Sequence, residues 1–402
     1  MGRDSLEFLI NPFDGDDFAK NFWEKNHVKV ERNEPNYYAD LCQLSDIDAL
    51  LSATSLRMDQ CRIVKEGKVL PATDYAKNVG GFTSVFRDQM VDSCRIFEHY
   101  SEGATLILEA IDKTMPKLAA YCRNLERDIS HKVQINAYLT PEHTQGFPIH
   151  HDTHDVFILQ LFGSKKWKIY DSAILLPMHH QSHTKSGPKT FLREELTLNQ
   201  GDLLYIPRGV QHEAMANAQS SLHLTLGVTV TTWADLLVEA VKFASKTNIS
   251  LREAAPLGFA DSLDNEAYQS RLRGAIEDLD QFAASSPDLD AWIKMQHRKT
   301  TRPVFDMRLA NMEKSKFEIA GDTRLRFNRN ISSSISKDGS SIEVTILNNY
   351  FEFPATAETA LDFIMNSEGS LFKVDDIPGL NAQSRLLISQ KFVQEGLVTI
   401  EN

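Results

Sequence analysis

The stretch Pro148-Ile-His-His-Asp-Thr-His-Asp-Val-Phe-Ile-Leu-Gln160 decides how the chain is read. From Asp155 onward it is an apolar run of the kind that forms a buried strand, and just before that run stands His150-x-Asp152. On extended backbone, residues i and i+2 point to the same side. His150 and Asp152 therefore both face a barrel interior, and His151 points away. A lone His-x-Asp is common and is usually a surface turn. It gains weight from a second element, Gly201-Asp-Leu-Leu-Tyr-Ile-Pro-Arg-Gly-Val-Gln-His212, whose histidine stands 60 residues after Asp152. Gly-Asp starts a short apolar strand, Pro-x-Gly ends it, and the chain then delivers His212. Two imidazoles and one carboxylate on one face of a metal are the ligand set of non-haem Fe(II) oxygenases, with positions left open for a bidentate cosubstrate and O2.

Around these elements the apolar pattern has a period of two. Val133, Ile135, Ala137 and Leu139 alternate with Gln134, Asn136 and Tyr138, which predicts a strand. Asp155 to Phe162 and Lys165 to Tyr170 predict two more, and Gly163-Ser164 between them reads as a two-residue hairpin turn. Leu203 to Ile206 and Leu222 to Val230 are further strands. Short strands with turn signals and no intervening helices indicate an antiparallel sandwich or barrel.

Helical spacing flanks this region. Upstream it covers Asp14 to Lys25, Leu44 to Leu51 and Ala104 to Leu125. Downstream, Trp233, Leu236, Leu237, Ala240, Val241 and Ala244 share one helix face, and Tyr268, Leu272, Ile276, Leu279 and Phe282 share another. These faces suit a small packed helical domain or a dimer interface equally. Ser332 to Ser341 is a polar break. Strands over 342–347 and 350–353, helices over 357–366 and 382–394, and a strand over 397–400 then follow the order of a small winged-helix-like module. Such modules often bind DNA. Residues 341–402, however, hold nine acidic and three basic side chains, a net −6 and the wrong sign for tracking phosphates.

The 402-residue chain is acidic as a whole, with 43 Lys+Arg against 55 Asp+Glu, and its length suits two or three domains. That balance argues against a general nucleic-acid binder. Ten of the 13 histidines lie between His131 and His223. Cys42, Cys61, Cys94 and Cys122 form no C-x-x-C pair, so neither a zinc site nor a disulfide scaffold is expected, and a reducing compartment is. No apolar run approaches the roughly 18 residues of a membrane span, and Met1 to Phe13 lacks the pattern of a secretory signal. A soluble cytoplasmic protein is the expectation.

Lys165 shares its strand face with Trp167 and Ile169. A lysine there either finds an anionic partner, in an iron oxygenase the distal carboxylate of 2-oxoglutarate, or sits at a barrel rim and snorkels to water. His179, His180 and His183 fit a polar loop better than a second metal site. His154 lies near the triad but its register is open, and His223 fits a packing role.

Together these residues resemble the JmjC-domain 2-oxoglutarate/Fe(II) oxygenases, and within them the ribosomal oxygenase (cupin-4) branch. The resemblance is carried by Asn136-Ala-Tyr-Leu-Thr-Pro, Gln145-Gly-Phe-Pro-Ile-His-His-Asp, Asp155-Val-Phe-Ile-Leu-Gln, Gly163-Ser-Lys-Lys-Trp, Gly201-Asp-Leu-Leu-Tyr-Ile-Pro-Arg-Gly and Leu222-His-Leu-Thr-Leu, with weaker echoes at Phe22-Trp-Glu-Lys and Glu102-Gly-Ala-Thr-Leu. It implies an α+β fold in three parts. These are a double-stranded β-helix (JmjC/cupin) barrel with N-terminal support over 1–232, a helical dimerisation domain over 233–310, and a winged-helix-like domain over 311–402.

Carried over by position, the resemblance implies that His150, Asp152 and His212 bind Fe(II). It places Lys165 at the basic 2-oxoglutarate ligand and Thr225 where a hydroxyl helps hold the same carboxylate. Asn136 and Tyr138 fall at positions lining the cosubstrate and substrate pocket, and strand alternation puts the two on one face. The implied activity is that of a 2-oxoglutarate-dependent dioxygenase (hydroxylase), which consumes O2 and releases succinate and CO2. The implied substrate is an arginine or histidine of a ribosomal protein, whose basic character suits an acidic chain. A homodimer is implied, with neither DNA nor membrane as a partner. Two alternatives stand beside this reading. One is the same chemistry on a non-ribosomal peptide or small molecule. The other is a non-catalytic cupin scaffold, which an intact triad argues against. Histone demethylation is disfavoured by the branch resembled and by the lack of a chromatin-reading module.

Overall fold

The three-dimensional structure is a computed structural model describing residues 6–53, 56–76, 90–178, 181, 189–259, 266–299, 308–316, 319–328, 331, 333–347, 349–367 and 370–401. Contacts divide the chain into Met1–Val230 and Thr231–Asn402.

In the first unit the strands are β1 (Val28–Val30), β2 (Cys61–Lys65), β3 (Lys68–Val69), β4 (Thr105–Leu108), β5 (Lys132–Thr140), β6 (Asp155–Phe162), β7 (Lys165–Ser172), β8 (Leu192–Leu198), β9 (Leu203–Ile206), β10 (Val210–Ala216) and β11 (Ser221–Thr229). Eight form one sheet in the order β1-β9-β6-β11-β5-β4-β2-β3, and three form a second in the order β10-β7-β8. Every pairing in both is antiparallel. Alternation sorts the side chains of the large sheet. Ile135, Phe157, Leu159, Leu203, Tyr205 and Leu224 join a core that also takes in helical residues such as Phe18, Leu118 and Leu125. Their opposite face carries Val156, Ile158, Leu204 and Ile206, which pack with Trp167, Ile169, Leu196 and Leu198 of the small sheet.

Two expectations are corrected here. Gly163-Ser164 is not a hairpin turn, because β6 and β7 belong to different sheets. The dipeptide is the corner at which the chain changes sheet. Gly163 holds φ +63°, and a Cβ there would collide with the Ser220 carbonyl oxygen. The helix read over 104–125 is instead β4, a 3-10 turn at Ile111–Lys113 and a helix over Pro116–Ile129. A four-residue apolar run is ambiguous by period alone. All four residues of β4 are buried between β2 and β5, while Pro116 is suited to open a helix.

In the second unit, helices Trp233–Ala244, Glu266–Ser285 and Leu289–Lys299 bury little. Only Ala240 and Ala244 of the first are buried, and none of the described residues of the second. Trp233, Leu237, Val241, Leu272 and Ile276 are all exposed. A separate core of Leu325, Val344, Leu361, Ile364, Phe392 and Val393 lies further along the chain. There, Arg324–Phe327 pairs with Leu371–Lys373 and Val398–Glu401, and helices Glu358–Met365 and Ala382–Glu395 match the expected ones. The polar break is overturned in part. Ser333–Asp338 is a strand paired with Ser341–Ile346, which pairs in turn with Asn349–Pro354. Its polar residues are held by that register and by the tight turn at Gly339, φ +54°.

Candidate metal centre

His150 and His212 face each other across an isolated antiparallel bridge. His150 N–H donates to the His212 carbonyl at 3.1 Å, and His212 N–H donates to the His150 carbonyl at 2.8 Å. Their ring centroids are 4.4 Å apart. In each ring Nδ1 lies against a carbonyl two residues back, Pro148 at 2.8 Å and Val210 at 3.1 Å. A carbonyl can only accept, so Nδ1 holds the proton and Nε2 keeps its lone pair. Asp152 Oδ2 lies 3.7 Å from His212 Nε2. One ligand atom from each of the three residues falls within 4.8 Å of the others.

The electrostatics suit a cation. Burial, with His150 adding to it, pushes the His212 imidazole down to about 4, so it is neutral and free to ligate. Burial alone would raise the Asp152 carboxyl, but His154, His212, His150 and His151 around it outweigh that and hold it below its ordinary value. The turn before β10 fixes the spacing. Gly209 N–H donates to the Asp152 carbonyl at 2.9 Å, and the Gly209 carbonyl accepts from Ala173 N–H at 2.9 Å. Gly209 holds φ +87°, and a Cβ there would collide with the Ile174 carbonyl oxygen. Arg208 beside it pairs with buried Asp155 at 2.9 Å and with Glu24, and Tyr205 Oη donates to Asp155 at 2.8 Å.

Deeper in the interior stands Lys165, only 3% exposed, whose Nζ donates to Thr140 Oγ1 at 2.9 Å. The snorkelling alternative is thereby removed, since the side chain runs inward. Burial lowers its pKa to about 7, and no carboxylate pairs with it among the described residues. His223 stacks on Tyr138 at 4.9 Å and meets the Trp167 edge at 5.6 Å, while Trp167 also lies 6.0 Å from His212. Burial, with Lys165 adding to it, keeps His223 neutral. Trp167 Nε1 and His223 Nδ1 are buried with no hydrogen-bond partner among the described residues. Buried polar atoms left in that state call for a ligand or water. A lysine without its anion, a hydroxyl and an indole N–H together suit an incoming carboxylate.

The other expected residues share this interior. Thr225 pairs with Asn136 in register and lies on the same face of the sheet as His223. Asn136 Oδ1 accepts from Ala110 N–H at 2.8 Å. Burial raises the Tyr138 hydroxyl pKa, and Glu109 and Asp152 raise it further. His154, whose register the sequence left open, lies over β11. A Cβ on Gly227 would fall 2.6 Å from its Cδ2. His179, His180 and His183 lie outside the described residues. Trp167 and His223 were not singled out for function from the sequence. Their signal was alternation, since Trp167 stands two residues after Lys165 and His223 two before Thr225.

The chain thus combines a JmjC/cupin-like fold with a two-histidine, one-carboxylate cluster. A family model described as "JmjC domain" matches residues 113–236 of this chain. Its relatives include a Drosophila willistoni protein named "Bifunctional lysine-specific demethylase and histidyl-hydroxylase NO66", 26% identical over 100% of this chain and 57% of that one. They also include "Ribosomal oxygenase 1" of Gallus gallus, 24% identical over 98% of this chain and 71% of that one. The chain spans about half the length of the first relatives it matches, 57% and 46%. Among solved structures it is similar to Escherichia coli ycfD, with TM-score 0.57 and 16% identity over 97% of this chain and 98% of that one. It is also similar to the Escherichia coli ribosomal oxygenase YcfD in complex with cobalt and 2-oxoglutarate, with TM-score 0.54 and 16% identity over 97% and 99%.

Proposed function

We propose that the protein is a 2-oxoglutarate- and Fe(II)-dependent hydroxylase acting on a side chain of a ribosomal protein. The observation that carries this reading is the His150–Asp152–His212 cluster sharing one interior with a buried lysine that has no carboxylate partner among the described residues. When bound, the iron and cosubstrate use O2 to convert 2-oxoglutarate to succinate and CO2 and supply the oxygen that enters a substrate C–H bond. The residues here supply geometry. His150 and His212 present Nε2 because their Nδ1 protons are committed to carbonyls. Asp152 brings the negative charge. Lys165 and Thr140 take the far carboxylate of 2-oxoglutarate, with Thr225 on the same face. Asn136 and Tyr138 line the approach, and Val156, Ile158, Ile169 and Leu204 keep water out.

The ribosomal substrate is supported by the relatives' names and by the net charge of −12, which favours a basic polypeptide. We divide the chain into 1–232, 233–310 and 311–402. The exposed apolar faces of Trp233–Ala244 and Glu266–Ser285 suit a homodimer, and the acidic 341–402 segment suits a winged-helix-like module that does not bind DNA. No helix is long and apolar enough to cross a membrane among the described residues. Four free cysteines suit the cytoplasm.

Whole ribosomes incubated with the protein, Fe(II), 2-oxoglutarate and air test the reading. The expected result is succinate together with a single-oxygen gain on one ribosomal protein. Succinate without that gain would redirect the activity to another peptide or a small molecule. No succinate under any condition would overturn the enzyme.

A further inference from the structure

Sheet register places Arg62, Ile107, Tyr138, His223 and Gln160 side by side on β2, β4, β5, β11 and β6. Directly opposed residues point to the same face of a sheet, so Arg62 faces the interior with Tyr138 and His223. Glu109, two residues after Ile107, comes to the same side. Arg62 Nε and Nη2 both bond to Glu109 Oε1. The guanidinium lies 5.4 Å from the Phe147 ring centroid, and that ring meets His150 at 5.6 Å in a T-shaped contact. The ion pair therefore stands one aromatic ring away from a metal ligand. Its side chains are 38% and 18% exposed, so solvent reaches them. Neither group holds the metal or the cosubstrate in the reading above.

The pair is satisfied unevenly. Both guanidinium contacts fall on Oε1, and among the described residues no donor reaches Glu109 Oε2. A carboxylate offers about four lone-pair sites. A neutral N–H donor can therefore take Oε2 while Arg62 stays in place. An incoming guanidinium or ammonium would instead meet the fixed positive charge of Arg62 beside a single carboxylate. Like charges brought together in a partly desolvated site repel.

We propose that the Arg62–Glu109 pair sets the charge of the side chain admitted to the reaction site, accepting a neutral hydrogen-bond donor such as an imidazole or carboxamide at Glu109 Oε2 and refusing a cationic one. The inference rests on the hydroxylase reading and deepens it by naming the substrate class. Selection then works in two stages. The acidic chain draws in a basic polypeptide, and the local cation rejects that polypeptide's own charged residues.

Synthetic ribosomal-protein peptides that differ only in His, Gln, Arg or Lys at one position provide the test. Single-oxygen incorporation, succinate, and peptide binding to the metal-free protein are all measured. Neutral members should be preferred by about ten-fold or more in both binding and oxygen incorporation, the scale of one charge-assisted contact. Arg62→Gln should raise the cationic members about ten-fold, and Glu109→Gln should raise KM for the neutral members about ten-fold with a smaller change in kcat. Equal use of arginine and histidine peptides by the unaltered protein, or an Arg62→Gln variant with an unmoved ratio, would overturn the proposal. Selective binding with no succinate would keep the selection and sink the hydroxylase reading alone.

Discussion

His150 and His212 are hydrogen-bonded backbone to backbone in both directions, at 3.1 and 2.8 Å. The two imidazoles of the candidate metal centre are therefore set by the meeting of two chain segments, independently of any ion. Asp152 is tied to the same frame through its carbonyl and Gly209. A site held this way is preformed, and a metal bound there would add to the stability of the folded state by mass action.

Divalent metal at 100 times its Kd should accordingly stabilise the protein by about 2.7 kcal/mol. Asp152→Ala should abolish that gain in thermal melting and lower succinate formation by more than the roughly 10–100-fold that losing a group behind a ligand costs. Unchanged turnover in Asp152→Ala would refute the metal assignment.

Lys165 predicts a pH dependence with a definite sign. Its folded pKa is lowered by burial to about 7, from 10.5. Between those values the unfolded chain binds the extra proton, so the ligand-free protein should gain stability as pH rises through that window. In the proposed site, binding of 2-oxoglutarate would need the ammonium form of Lys165. Its affinity should be greatest below pH 7 and fall above it, with a proton taken up on binding at about pH 8. Calorimetry in buffers of different ionisation enthalpy measures that proton. Lys165→Met should lose the uptake and raise KM for 2-oxoglutarate by about ten-fold or more, and an uptake that survived the substitution would assign it elsewhere.

Gly209→Ala should be costly although it adds one methyl. The residue holds φ +87° and has the Ile174 carbonyl oxygen where a Cβ would go. Strain of this kind costs about 1–3 kcal/mol. Because the same turn positions His212, metal affinity should fall along with the melting temperature. A variant with full metal affinity would show that the turn does not set the site.

Much of the barrel was legible because strand alternation is local. β6 and β9 fall on the expected residues, and the triad followed from two short strings. What was not legible is what register and burial decide. Gly163-Ser164 has hairpin composition, yet only the pairing of β6 with β9 and β11 shows that it joins two sheets. Thr105–Leu108 is too short for its period to separate strand from helix. Lys165 lies inside or at a rim according to where Thr140 stands, 25 residues away. Arg62 and Glu109 meet only through the β2–β4 register, and no string around either residue marks them.

The apolar helix faces predict a dimer that charge would break. Leu237 and Ile276 are 57% and 61% exposed on helices with almost no buried residue. Leu237→Glu with Ile276→Glu should convert a dimer to a monomer by light scattering, with helix content kept. A chain that is monomeric before substitution would overturn the dimer.

Arg208 and Asp155 form the buried ion pair beneath the turn that leads to His212. Asp155 is fully buried, and its carboxylate accepts from Arg208 Nη1 at 2.9 Å and from Tyr205 Oη at 2.8 Å. Removing one partner leaves the other charge buried and uncompensated, which costs about 3–5 kcal/mol. Arg208→Met should therefore destabilise the protein strongly in urea unfolding. Asp155→Asn keeps the shape and removes the opposing charge. Combined with Arg208→Met it should recover part of the loss, because the double variant buries no lone carboxylate. A coupling near zero between the two substitutions would mean that Glu24, which also pairs with Arg208, carries the interaction instead.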